Sequence, residues 1–226
     1  MTRAVLLDAL GTLVELQPPA PRLREALRRE GFEVSESQAA AGIGAEIAYY
    51  LDHHLEGHDR ESLDRLRDRC ARRLRLALGI PDLDHVSARR AMMAALEFEP
   101  YPDAIPGLRR LRNRGLTLVI ASNWDCSLPD WLGPTGLMDL VDGVVTSADV
   151  RAAKPSPPVF LRALEVAGVA PGEAAHVGDS LWNDVEGARA SGVRPLFLAR
   201  GGAPSGPGPP PGVATVRSLE EVASLI

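Results

Sequence analysis

Leu116-Thr117-Leu118-Val119-Ile120-Ala121-Ser122-Asn123 begins as an apolar run, Leu116–Ala121, and closes on two polar residues. Such a run has the character of a strand buried on both faces. Ala4–Leu7, Val144–Val145, Ala174–Val177 and Leu196–Ala199 are short apolar runs of the same kind. Helical spacing marks Arg109–Arg114, Val159–Ala167 and Trp182–Ser191, and Gly115, Gly168 and Gly192 follow them as C-terminal stops. Strand, helix, strand in that order implies an α/β fold: a Rossmann-like parallel sheet flanked by helices, with right-handed crossovers.

Between the first strand and Leu116 the pattern changes to helical periodicity with no convincing strand. Ile43, Ile47, Tyr50, Leu51 and His54 share one predicted helix face; Leu63, Leu66, Cys70 and Leu74 share another. This is expected to be an all-helical insertion at residues 16–99, bounded by Gln17-Pro18-Pro19 and Pro100-Tyr101-Pro102. The core is then made of residues 1–15 and 100–226. Residues 201–212, rich in Gly and Pro, are expected to be a surface loop, and 214–226 a last strand and helix.

With 226 residues the chain can hold one large domain, or a core plus a smaller insert. Its 45% hydrophobic and 24% charged residues exclude disorder, collagen and coiled coil. A net charge of −5 without a basic stripe argues against nucleic acid and anionic membrane as partners and favours a small molecule. Cys70 and Cys126 form neither a disulfide framework nor a thiolate metal site. The apolar run before Asp8 is too short for a signal peptide, and no 18-residue apolar stretch occurs, so the expected location is cytoplasmic.

Ligands of open parallel sheets bind beyond the carboxyl ends of the strands. The residues there are Asp8-Ala9-Leu10-Gly11-Thr12-Leu13, Ser122-Asn123, Lys154-Pro155, and Gly178-Asp179-Ser180 with Asn183-Asp184. Lys154 is the only lysine in a chain whose other 24 basic residues are arginine. A compact ammonium fits between a carboxylate and a phosphate oxygen where a planar guanidinium does not. Asn123 and Asn183, two of only three asparagines, fall in the same loops.

In order and spacing these motifs resemble those of the haloacid dehalogenase-like hydrolase superfamily, across Asp8 to about Gly192. The inserted helices look like the cap of its phosphatase and dehalogenase branch, and His176-Val177-Gly178-Asp179-Ser180 with Gly187-Ala188-Arg189 is typical of that branch. The resemblance implies that Asp8 is a nucleophile that forms an aspartyl-phosphate. It implies Mg²⁺ held by Asp8, the Leu10 carbonyl, Asp179 and, directly or through water, Asp184. It also implies that Ser122 and Asn123 bind phosphoryl oxygens and that Lys154 ties phosphate to Asp8. For Asp8, Asp179 and Asp184 the plainer reading is helix capping.

One position departs from the family. Its phosphatases carry a second aspartate two residues after the nucleophile, as acid and base; here that residue is Leu10. Three readings follow, in this order: a Mg²⁺-dependent phosphohydrolase, weak or restricted to good leaving groups; a metal-free 2-haloacid dehalogenase, favoured by Leu10 and opposed by Asp179; and a non-catalytic metal- or phosphate-binding protein. The substrate is expected to be a small phosphorylated or anionic metabolite, and the protein a monomer or homodimer.

Three further features suggest less. His54 and His58 lie four apart, but Gly57 weakens any helix there and no metal role is assigned. The arginines of 60–75, interleaved with acids, are expected to form a solvated, ion-paired face. Trp124 and Trp182 flank the motif loops, either shaping a pocket or simply packing.

Overall fold

A computed structural model describes residues 1–200 and 208–226. The first seven residues of the expected 201–212 surface loop lie outside the described residues. The chain forms two compact units, Met1–Glu15 with Pro100–Ile226, and Leu16–Glu99. Its strands are β1 (Ala4–Leu7), β2 (Val14–Leu16), β3 (Phe98–Pro100), β4 (Thr117–Ser122), β5 (Gly143–Thr146), β6 (Ala174–Gly178), β7 (Arg194–Leu198) and β8 (Ala214–Val216).

In the first unit six strands pair in the order β5-β4-β1-β6-β7-β8, every pairing parallel. The three strands at the centre are buried almost throughout, as expected where both faces of a parallel sheet are covered. Ala4, Leu6, Val119 and Ala121 share one core cluster with Val159, Phe160, Ala163 and Leu164 of the helix Pro158–Ala167. That helix stops at Gly168, whose φ of +65° takes the left-handed conformation open to glycine. The stretch expected as a helix over Trp182–Ser191 is a π-helical turn, Leu181–Glu186, followed by one α-turn, Gly187–Ala190. Such widened turns are frequent at functional sites.

The second unit is built on four helices, α1 (Pro19–Arg29), α2 (Glu36–His53), α3 (Arg60–Leu78) and α4 (His85–Ala95). Capping fixes three of their starts: Ser35 and Asp59 form capping boxes and Asp84 accepts from the Ser87 amide. Leu23, Leu27, Ile43, Leu66, Cys70, Leu74 and Met92 meet in its core. The expected face of α3 is buried throughout. That of α2 needs two corrections: Leu51 is exposed, and the face contains buried Glu46. The three-residue strands β2 and β3 also escaped the periodicity reading, being too short to show an alternation. Among the described residues no helix is long and apolar enough to cross a membrane.

The α3 arginines behave as an ion-paired surface: Arg65 pairs with Glu61, Arg69 with Glu56, and Arg89 of α4 with Asp64 and Asp68. The helix that would space His54 and His58 does not continue past them. α2 ends at His53, and His53, His54 and His58 each bond a nearby backbone carbonyl through Nδ1.

Burial pushes the Glu46 carboxyl up from 4.5 to about 7, with the Cys70 thiol working in the opposite direction. The folded state therefore holds this proton more tightly than the unfolded chain. Its contribution to stability is fully present below pH 4.5 and is lost as pH rises through about 7. Glu46→Gln is expected to remove that component, worth about 3 kcal/mol in urea unfolding between pH 4 and pH 8, and to be the more stable protein at pH 8.

Candidate active site

All the pieces of the site lie in the sheet unit, at the carboxyl ends of β1, β4 and β6 and in the loop before Pro155. Asp8 follows β1 directly, its amide donating to the Val177 carbonyl, and is 7% exposed. The chain then turns tightly, with the Leu13 and Val14 amides both donating to Ala9 O. Gly11 makes this turn possible in two ways. Its φ is +81°, and a Cβ there would stand 2.2 Å from Oδ2 of Asp179.

Arg200 holds the same loop from behind. Its guanidinium donates to Thr12 O (2.6 Å) and Asp103 Oδ1 (2.6 Å), and it lies 4.0 Å above the Tyr101 ring. Asp103 Oδ2 accepts the Leu219 amide at the start of the last helix. One arginine thus joins three segments far apart in sequence.

The Ser122 hydroxyl, at the end of β4, donates to Asp8 Oδ1 at 2.9 Å. The Asn123 side chain is committed to the backbone of Lys154: Nδ2 donates to Lys154 O and Oδ1 accepts Lys154 N–H, at 3.1 and 2.7 Å. Its side chain therefore serves to lock the lysine loop in place, leaving only its backbone to face a ligand. Lys154, 4% exposed, donates from Nζ to Asp8 Oδ1 and Asp184 Oδ1, both at 2.6 Å.

Asp184 accepts two further bonds, from His176 Nε2 at 3.0 Å and from the Ser180 amide at 3.0 Å. It packs so closely under β6 that a Cβ on Gly178 would fall 2.2 Å from its carboxyl carbon. Asp179 keeps an exposed edge. One acidic oxygen from each of Asp8, Asp179 and Asp184 lies within 4.8 Å of the others, the only such cluster of His, Cys, Asp or Glu among the described residues.

Three carboxylates thus surround one ammonium, and their proton affinities show the imbalance. Burial, reinforced by the charge of Asp184, raises the Asp8 carboxyl above its ordinary range against the pull of Lys154. Asp179 is pushed up to about 7 by the protein packed around its carboxyl group and by Asp8 and Asp184. Asp184 goes the other way: burial opposes its charge, but Lys154 and His176 hold it far below the usual carboxylate range. Burial likewise opposes the charge on Lys154, yet Asp184 and Asp8 outweigh it and raise its pKa. With all three acids ionised the cluster has an excess charge of −2, and its donors are oxygens. That donor set fits a hard divalent cation such as Mg²⁺.

Asp8, Ser122, Lys154, Asp179 and Asp184 are therefore brought together, with Asn123 behind them. The Leu10 side chain, 44% exposed, offers no acid or base, only its backbone carbonyl. His176 received no role from sequence, although an imidazole inside a wholly buried strand must answer for its polar atoms. Arg200 gave no signal, since its partners are remote in sequence. Trp124 is buried, whereas Trp182, within the π-turn, is 68% exposed.

The six-stranded parallel sheet gathers these acids and one lysine beyond the carboxyl ends of its strands, where open α/β folds bind their ligands. The family model for haloacid dehalogenase-like hydrolases matches residues 2–192, and the chain belongs to that family. It is 32% identical to a phosphoserine phosphatase of Thermus thermophilus, over 97% of each chain. Its likeness to bovine haloacid dehalogenase-like hydrolase domain-containing protein 3 is 44% identity over 41% of this chain, and it spans only 37% of that protein's length. Among solved structures, a phosphatase of the family from Thermococcus onnurineus superposes with a TM-score of 0.67 and 29% identity, covering 99% of this chain and 97% of that one. An L-2-haloacid dehalogenase from Xanthobacter autotrophicus gives 0.70 and 25%, covering 100% and 98%.

Removing the ammonium leaves two buried acids facing each other. Lys154→Met is expected to destabilise the protein by about 3–5 kcal/mol in urea unfolding. Lys154→Arg keeps the charge but not the fit, and is expected to recover less than half of that loss.

Proposed function

We propose that the chain is a divalent-cation-dependent phosphohydrolase in which Asp8 is the nucleophile, acting on small phosphorylated metabolites of the cytoplasm. The observation that carries this reading is the sharing of Lys154 between Asp8 and Asp184, with Asp179 adding a third carboxylate oxygen to the same cluster. A dehalogenase working on an anionic 2-haloacid without metal would be hindered by Asp179. Relatedness to a phosphoserine phosphatase over nearly the whole chain supports the same choice.

Asp8 Oδ1 is engaged by Ser122 and Lys154, which leaves Oδ2 to attack phosphorus. The Oδ2–P bond forms as the P–O bond to the leaving group breaks, and the oxygen departs with the bonding pair. Water then attacks the aspartyl-phosphate at phosphorus, releasing inorganic phosphate and restoring the carboxylate. The Lys154 ammonium and the Ser122 and Asn123 amides gather the phosphoryl oxygens. A divalent cation held by Asp8, Asp179, the Leu10 carbonyl and, directly or through water, Asp184 would neutralise charge on those oxygens.

Leu10 can neither protonate the departing oxygen nor activate water. The loss of such a group costs about 10²–10⁴-fold. The preferred substrates are therefore those whose leaving group is stable without a proton, aryl and acyl phosphates above all.

Aryl-phosphate hydrolysis by the purified protein, with Mg²⁺ and with EDTA, tests this reading. Mg²⁺-dependent turnover that disappears in Asp8→Asn is expected. Halide release from a 2-haloacid that survives EDTA would overturn it in favour of the dehalogenase, and Mg²⁺ binding without turnover would assign the chain a binding role. Leu10→Asp is expected to raise turnover of an alkyl phosphate by about 10²-fold or more, because it restores the missing acid and base.

A further inference from the structure

His176 lies in the middle of β6, paired in register with Leu6 of β1 and Pro195 of β7. It is wholly buried, and the edge-on ring of Phe160 stands 5.0 Å away at 83°. Its Nε2 meets Asp184 Oδ1 at 3.0 Å, while its Nδ1 is buried and has no hydrogen-bond partner among the described residues. The Asp184 oxygens accept from the Lys154 ammonium and the Ser180 amide, so the imidazole nitrogen facing them carries the hydrogen. Nδ1 is then left without a partner.

A leucine of similar volume would fill this apolar setting without stranding a polar atom, and burying an unsatisfied polar atom costs stability. The fold retains a residue that is a poor choice for packing. What that residue supplies is the third donor on Asp184, and the Asp184 oxygen it holds is the one that grips Lys154.

We propose that His176 is a positioning residue, whose Nε2–H fixes the Asp184 carboxylate so that the Lys154 ammonium stays seated on Asp8. The inference deepens the phosphohydrolase reading and rests on it for its catalytic consequence, while the placement of Lys154 can be read directly. Because Lys154 is the only lysine, ¹⁵N-lysine labelling gives a single side-chain ammonium signal.

His176→Leu removes the donor, and His176→Gln keeps an N–H near the position of Nε2. In His176→Leu the ammonium protons are expected to exchange with water about tenfold faster or more, the scale of one hydrogen bond to a charged group. Its thermal midpoint should stay close to that of the wild type, the donor lost from Asp184 being offset by the unpaired atom removed, and aryl-phosphate kcat should fall about tenfold or more with KM within twofold. His176→Gln should restore both the slow exchange and kcat.

Unchanged ammonium exchange in His176→Leu would overturn the proposal, even where wild-type turnover upholds the phosphohydrolase reading. Loss of thermal stability in step with activity in both variants would also overturn it, by making His176 a packing residue. If the wild type lacks phosphatase activity, that other reading falls, and the ammonium signal still decides the role of His176.

Discussion

The ammonium of Lys154, held at 2.6 Å from both Asp8 and Asp184, is the contact on which the rest of the catalytic unit depends. A buried ion pair gains little over apolar packing, because desolvation consumes most of the attraction. Here one cation serves two buried acids with a third nearby, so the arrangement is far from electrostatic balance. Nearly every other polar contact in the site reduces that cost. Ser122 shares the load on Asp8, Ser180 and His176 share that on Asp184, and Asn123 fixes the backbone from which the lysine extends.

The same constraint explains the backbone around the site. Two carboxylates approach main chain so closely that no β-carbon fits, Asp179 against Gly11 and Asp184 against Gly178. The loop that follows Asp8 is held by Arg200, which ties Thr12 to Asp103 and to the stacked ring of Tyr101. Rigidity at Asp8 is thus built from contacts that span almost the whole sheet unit, and under the proposed reading it would hold the carboxylate in line with phosphorus.

Much of this was legible in the sequence, because it follows from local pattern. Buried parallel strands are runs of apolar residues, and β1, β4 and β6 were found that way to within a residue or so. Polar residues at strand ends converge in any such sheet, which located Asp8, Ser122, Lys154, Asp179 and Asp184. What stayed hidden depends on tertiary placement. Glu46 interrupts an apolar helix face without any local sign of its burial, and the reach of Arg200 to residues 12 and 103 has no periodicity. The π-turn at Leu181–Glu186 is a change of helix pitch that residue spacing does not report. His176 was visible as a residue, but its role emerged only from the atom it faces and the atom it leaves unpaired.

Concentrating the chain's one primary-amine side chain in the site has a consequence far from catalysis. Every exposed basic side chain is an arginine or a histidine, and the sole lysine is 4% exposed between two acids. The folded surface therefore presents no lysine to acylating reagents, aldehydes or enzymes that modify lysine, and acylation of Lys154 becomes a report of unfolding around Asp8.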